Sequence, residues 1–256
     1  MKPHHYSKAS RYSLAVALAL NAGMACAQQT LLVYGPGGPA PAMKEAAAAF
    51  EHANGAKVAV TAGPTPSWIE QAKQDADIIY SGSETMMTDF TIAMGGKIQE
   101  ASITPLYLRP LAILVRPGNP KHLRGVADLM KPGVRLLVVN GAGQNGVWED
   151  MAGRKGSMES VRKVRANIAS YAPNSAIALD TWAARTDIDA WLIWNIWQVS
   201  NSSLADIVPV EPDYAIYRDT DVALTEHGAV NPVAKQFVNF MQSPQGSAIF
   251  AKWGWQ

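Results

Sequence analysis

The sequence predicts an α/β protein whose chain passes from one lobe to a second and back. Three observations carry this reading. Short apolar runs alternate with helical stretches from residue 31 onward. Loops rich in Gly, Ser and Asn follow several of those runs. Finally, residues 105–115 form a long extended run interrupted by Pro110, and a proline inside a strand marks an edge or a crossing point.

Taken in order, Leu31-Leu32-Val33-Tyr34 is an apolar strand that breaks into the turn Gly35-Pro36-Gly37-Gly38. An Ala-rich helix over 43–52 and the turn Asn54-Gly55 lead to a second strand, 57–61, and the small-residue loop 63–67. Both loops leave the carboxyl ends of strands, where open α/β sheets collect ligands. Their backbone N–H groups, backed by helix N-termini, suit an anion. Residues 75–80 read as a short strand, 81–84 as its loop, and 85–94 as a helix ended by Gly95-Gly96. After the crossing run come a short helix at 126–130 and a buried strand at 134–139. The loop 140–146 then leads into a helix containing Trp148 and Met151. A helix over 158–170 precedes the strand-to-helix loop 171–175, which carries a good cap at its end. Strands are expected at 188–194 and 206–211, Tyr217–Leu224 extends back towards the first lobe, and the chain ends in helices at Pro232–Met241 and 243–255.

Residues 1–27 carry Lys2, Lys8 and Arg11, an apolar run from 14 to 20, and Ala25-Cys26-Ala27. A basic start, a short apolar middle and an A-x-A end make a secretory signal peptide, cleaved after Ala27, that delivers the chain to the periplasm. The run is too short to span a bilayer of ~30 Å. A lipoprotein acylated at Cys26 is the alternative. Export removes the only cysteine, which excludes disulfides, thiolate catalysis and Cys-ligated zinc. It also leaves 19 basic against 21 acidic residues, a formal charge of −2 in place of +1, with no nucleic-acid footprint. The remaining histidines, His52, His122 and His227, have no metal-site spacing, so neither metal nor cofactor is expected. Gly141, Gly143 and Gly146 imitate a dinucleotide fingerprint, but no acidic residue follows at a strand end about twenty residues on.

With these segments in hand, the order of elements resembles a two-lobed periplasmic solute-binding protein of the type II arrangement. More closely, segments 33–38, 61–68, 81–89, 105–119, 138–156, 171–175 and 191–197 resemble the accessory colonization factor AcfC family, whose relatives include the Paa adhesin and a Campylobacter major antigen. The resemblance implies a sulfate/molybdate-type fold. Each lobe would be a mixed sheet flanked by helices, with two crossover strands as the hinge. It also implies a periplasmic or surface location and often a homodimer. The chain then divides into the signal peptide, a discontinuous first lobe (28–108 plus 218–256) and a second lobe (109–217).

The expected function is capture of a small anion between the lobes, either a sulfate- or molybdate-type oxyanion or a small phosphorylated or carboxylated metabolite. The solute would pass to an ABC transporter permease or a chemoreceptor. The alternative is an adhesin that binds a host surface and keeps a vestigial cleft. Strand-end loops supply the candidate ligand contacts Gly37, Gly38, Ser67, Ser81, Ser83, Asn140, Gly143, Gln144, Asn145, Gly146, Asn174 and Ser175. These hydroxyl, amide and bare backbone donors replace the water an anion loses on burial. Asn195 ends an apolar strand, and Trp68 beside Ser67 is the expected cleft wall; Trp191, Trp194 and Trp197 read as core packing. Arg109 on the crossing run either grips a carboxylate or phosphate in a bidentate fork or is a structural or surface arginine. No enzyme is expected, since neither Ser83 nor Ser175 lies in a G-x-S-x-G elbow.

Overall fold

One long strand, β4 (Thr104–Val115), belongs to both lobes, and the rest of the architecture follows from it. The structure is a computed structural model that describes Met1 and residues 30–256. Apart from Met1, the signal-peptide segment lies outside the described residues.

The first lobe begins with β1 (Leu31–Gly35), α1 (Ala40–Asn54), β2 (Val58–Ala62), α2 (Ile69–Asp75), β3 (Ile78–Tyr80) and α3 (Glu84–Ala93). Strand β1 lies between β2 and β3, parallel to both. Proline at the first turn of α1 starts it without wasting an N–H donor. Gly55, in the left-handed region at φ 69°, ends it by returning its N–H to Glu51 O.

Beyond β4 lie α4 (Val126–Leu129), β5 (Leu136–Val139), α5 (Val147–Gly153), α6 (Met158–Asn167), β6 (Ile168–Ala172), α7 (Ser175–Ala184), β7 (Ala190–Trp194), α8 (Ile196–Ser200) and β8 (Asp206–Pro209). The chain returns through β9 (Tyr217–Leu224) and closes with α9 (Glu226–Ala229), α10 (Pro232–Met241) and α11 (Pro244–Lys252).

The strands run in the order β2-β1-β3-β9-β4-β7-β5-β6, with β8 on the free side of β4. Residues Thr104 to Pro110 of β4 pair antiparallel with β9, whereas Leu111 to Val115 pair with β7 and β8. Pro110 therefore stands where β4 changes partners, as its missing N–H requires. Each lobe holds a mixed sheet, parallel except along the crossing strands β4 and β9 and the edge strand β8. Buried helices and strands of both lobes share one continuous apolar core, and a smaller cluster around Trp68, Met87 and Phe90 underlies α3.

Three expectations needed correction. The helix expected to 170 stops at Asn167, and Ile168–Ala172 forms β6, paired in parallel with β5. Ala169, Ser170 and Ala172 lack the β-branching that would have signalled a strand; sheet pairing overrides their propensity. The strand expected from Asp75 begins only at Ile78, because Ile69–Asp75 forms α2. The Ala-rich helix starts earlier than expected, at Ala40.

Candidate functional site

The carboxyl ends of β1, β2, β3, β5, β6 and β7 surround a single cavity between the lobes. It offers about 110 Å³ to the centres of water-sized groups. Gly37 and Gly38 border it before α1, Gly63 and Thr65 after β2, and Gly82 after β3. From the second lobe come Ala142 and Gln144, then Asn174, Ser175 and Ala176 at the start of α7. Among the described residues, neither Asp nor Glu lines it.

Arg109 forms its floor. Strand β4 delivers the side chain to the point where the two lobes meet, and only 3% of the residue is exposed. One terminal nitrogen donates to Asp219 O at 2.6 Å and the other to Gly82 O, so the guanidinium fastens the loop after β3 to the returning strand β9. Its central carbon sits 4.6 Å from the Trp194 ring and 4.7 Å from the Trp255 ring, a cation–π sandwich. Nε has no hydrogen-bond partner among the described residues. Burial pulls the Arg109 pKa down and the nearby Asp219 carboxylate opposes it; a guanidinium keeps its charge throughout.

Donors from the two lobes complete the lining. Gln144 Nε2 donates to Ser175 Oγ at 2.8 Å, which leaves the Ser175 hydroxyl proton free to turn into the cavity. Asn174 caps α7 by accepting from Ile177 N at 2.9 Å, so the N–H groups of Ser175 and Ala176 have no partner within the helix. The start of α1, at Gly37 and Gly38, faces the same space from the other lobe. Two helix N-termini and one guanidinium thus point positive potential at one volume.

Of the candidate contacts, Gly37, Gly38, Arg109, Gln144, Asn174 and Ser175 border this cavity. The others lie elsewhere. Ser81 is buried and spends its hydroxyl on Asp221, donating to Oδ2 at 2.7 Å and accepting from Asp221 N at 3.1 Å. Ser83 caps α3 by accepting from Met86 N at 3.1 Å. Gly143 reaches across to it: a Cβ there would lie 2.7 Å from Ser83 Oγ, and its φ of 73° is one that glycine adopts readily. Asn140 and Asn145 are exposed, and Gly146, at φ 74°, introduces α5. Ser67 is exposed and donates to Pro64 O at 2.7 Å, while Asn195 donates to Gly254 O at 2.7 Å.

The tryptophans are the clearest correction. Trp68 is no cleft wall: it is buried, packs edge-on against Phe90 with ring centroids 5.2 Å apart, and donates Nε1 to Gly63 O. Trp194 packs in the core and Trp197 against it, as expected, and both also line the cavity. Their position at and just beyond the carboxyl end of β7 was the available signal. Thr65, Gly82 and Met86 were also missed; they follow β2 and β3, the same kind of position.

Beside the cavity, Glu84, Asp219 and Asp221 bring three carboxylates together. Asp219 Oδ1 accepts from Glu84 N at 3.0 Å, so a carboxylate of the protein already occupies the N-terminus of α3. Burial pushes the Asp221 carboxyl up to about 7, against the Ser81 hydrogen bond, which favours its anion.

Comparison with known proteins agrees with this architecture. The family model described as bacterial extracellular solute-binding protein matches residues 31–256. The solved structure of L-phospholactate-bound Peb3 is similar at 35% identity and a TM-score of 0.84, covering 88% of this chain and 99% of that one. The structure of Peb3 from Campylobacter jejuni gives a TM-score of 0.82 at the same identity and coverage. The periplasmic molybdate-binding protein of Azotobacter vinelandii shares the fold, with a TM-score of 0.67 at 14% identity over 88% of this chain and 98% of that one. The sulfate-binding protein of Escherichia coli K12 is 24% identical over 186 residues, or 63% of this chain. The match spans about half the length of that curated relative, 56%.

Proposed function

The chain belongs to the bacterial extracellular solute-binding protein family, and from that premise we propose that it captures a small organic phosphate bearing a carboxylate in the cavity above Arg109. The family is one of solute-binding proteins, not enzymes, and its fold is the two-lobed type II arrangement. The observation that carries the reading is the buried Arg109, held between Trp194 and Trp255 on the floor of a cavity without carboxylates.

Two considerations favour such a ligand over a bare oxyanion. The first is volume. One water needs about 10–15 Å³ by this kind of measure, so a space of about 110 Å³ accommodates several such groups, and a single tetrahedral oxyanion leaves much of it unfilled. The second is charge placement. The α1 and α7 N-termini face the space from opposite lobes, with Arg109 beneath, which suits a ligand carrying negative charge at two ends. The 35% identical Peb3 structure bound to L-phospholactate supports the same class.

Export with the peptide 1–27 removed places the chain in the periplasm. There the loaded form would engage a membrane permease or a chemoreceptor. Sequence segments similar to the AcfC family leave adhesion to a host surface, and dimerisation, as further properties to be measured. The test is a thermal-shift and calorimetric panel of phospholactate, 3-phosphoglycerate, citrate, phosphate, sulfate and molybdate in anion-free buffer. Ligand at 100 times its dissociation constant should stabilise the fold by about 2.7 kcal/mol. Stabilisation by the phosphorylated acids above the inorganic anions supports the proposal. A response confined to sulfate or molybdate overturns it in favour of a bare oxyanion, and a flat panel removes the anion reading altogether.

A further inference from the structure

A second site lies at the root of the returning strand, next to the cavity but outside its lining. The geometry points to binding of one hard divalent cation of calcium size by Glu84, Asp219 and Asp221. Each of the three offers a carboxylate oxygen, and these oxygens lie within 4.8 Å of one another. Calcium binds oxygen at 2.3–2.6 Å, so ligands on opposite sides of it stand about 4.6–5.2 Å apart. A triangle of this size therefore closes around such an ion, and an all-oxygen set excludes the softer transition metals as preferred occupants.

The second, independent observation is an unsatisfied atom. Asp221 is fully buried, and its Oδ1 has no hydrogen-bond partner among the described residues, whereas its Oδ2 takes the Ser81 hydroxyl at 2.7 Å. A buried carboxylate oxygen without a partner is rare in folded proteins and calls for a cation or a donor. When ionised, the nearby carboxylates of Asp219 and Glu84 are acceptors only, and their charges oppose that of Asp221. Arg109, the buried guanidinium beside the cluster, spends its terminal nitrogens on the Asp219 and Gly82 carbonyls and donates to none of the three carboxylates.

The site would tie the first turn of α3 to β9, the strand through which the chain returns to the first lobe. Glu84 is exposed, which gives the ion an entry path. Nothing in the argument requires the anion proposed above, so cation binding is measured on anion-free protein and stands or falls separately.

The experiment is calorimetric titration of the EDTA-treated protein with calcium chloride, repeated with thermal unfolding, on the parent chain and on E84Q and D221N. One calcium per chain with a rise in Tm is expected. E84Q, at an exposed position that leaves folding intact, should weaken that binding on the order of tenfold or more, as loss of a ligand carboxylate does. Absence of saturable calcium binding overturns the proposal, as does equal binding by E84Q. A third result also overturns it: D221N stabilises the protein while calcium stabilises neither form, which would mean that a shared proton fills the gap.

Discussion

Ser81 and Asp221 exchange two hydrogen bonds across 140 residues of sequence: the hydroxyl donates to the carboxylate at 2.7 Å and accepts the Asp221 N–H at 3.1 Å. Ser81 N also donates to Asp221 O at 2.9 Å, and Thr220 donates its hydroxyl to Ser81 O at 2.7 Å. The loop that presents Gly82 to the cavity is thus clamped onto β9 by its first residue. Replacing Ser81 with Ala strands a buried donor and a buried carboxylate oxygen together. The expected loss of stability is about 1–3 kcal/mol in urea unfolding. A change below ~0.5 kcal/mol would mean that the clamp is redundant.

A second prediction concerns alkaline pH. The Tyr34 hydroxyl donates to Asp75 Oδ1 at 2.9 Å. Burial first, and then the Asp75 carboxylate, pushes its pKa from the ordinary 10.0 up to about 12. The folded chain therefore holds this proton more tightly than the unfolded chain does. That contribution is complete below pH 10 and is lost as pH rises from 10 towards 12. Urea unfolding at stepped pH should show the stability gap between the parent and Tyr34→Phe narrowing across this window. A gap that stays constant would contradict the assignment.

The residues that were legible from sequence share one property: their signal is local. The Gly37-Gly38 turn, the Asn174 cap and the Pro110 crossing each announce themselves within a few neighbours, and each stands where expected. The failures are non-local. Strand β6 exists because β5 lies beside it, although Ala169 and Ser170 have little strand propensity. Ser81 looked like a ligand donor because its consumer, Asp221, is far away in sequence. Trp68 is buried away from the cavity, and Trp194, itself in the core, reaches it for the same reason: which side of a strand end faces the cleft depends on how the two lobes pack. The acidic cluster joins Glu84 to residues over 130 positions away, beyond any spacing rule.

Gly143 carries the third prediction. It belongs to the loop after β5 and touches Ser83 and Met86 at the start of α3, so it is a point where the two lobes meet. A methyl group there would lie 2.7 Å from Ser83 Oγ and 3.1 Å from Met86 Cβ, on a backbone at φ 73°. Gly143→Ala should cost about 1–2 kcal/mol in conformational strain. It should also hold the lobes apart, so ligand affinity falls by more than the stability change explains. Adding Ser83→Gly removes the nearer obstacle and should restore part of the affinity, a coupling that a double-mutant cycle reads directly. Additive effects of the two substitutions would mean that the lobes do not close on this contact.

Arg109 separates two roles that the sequence left open, and the structure gives it both. Its terminal nitrogens are engaged with Asp219 O and Gly82 O, its Nε is free, and its faces are covered by Trp194 and Trp255. As a structural fastener it contributes stability; as the buried positive charge under the cavity it contributes affinity. Arg109→Met preserves volume while removing charge and donors, so both quantities should fall. One charge-assisted hydrogen bond lost corresponds to about 1.5–3 kcal/mol, or on the order of tenfold to a hundredfold in affinity for the anion. Arg109→Lys distinguishes the roles. A lysine keeps the charge but cannot span two carbonyls with a planar fork or stack between two indoles as a guanidinium does. It should therefore lose stability nearly as fully as Met while retaining more of the affinity. If Lys loses affinity as completely as Met, the fork geometry, and not the charge, recognises the ligand; if neither variant binds more weakly than the parent, Arg109 is a fastener alone.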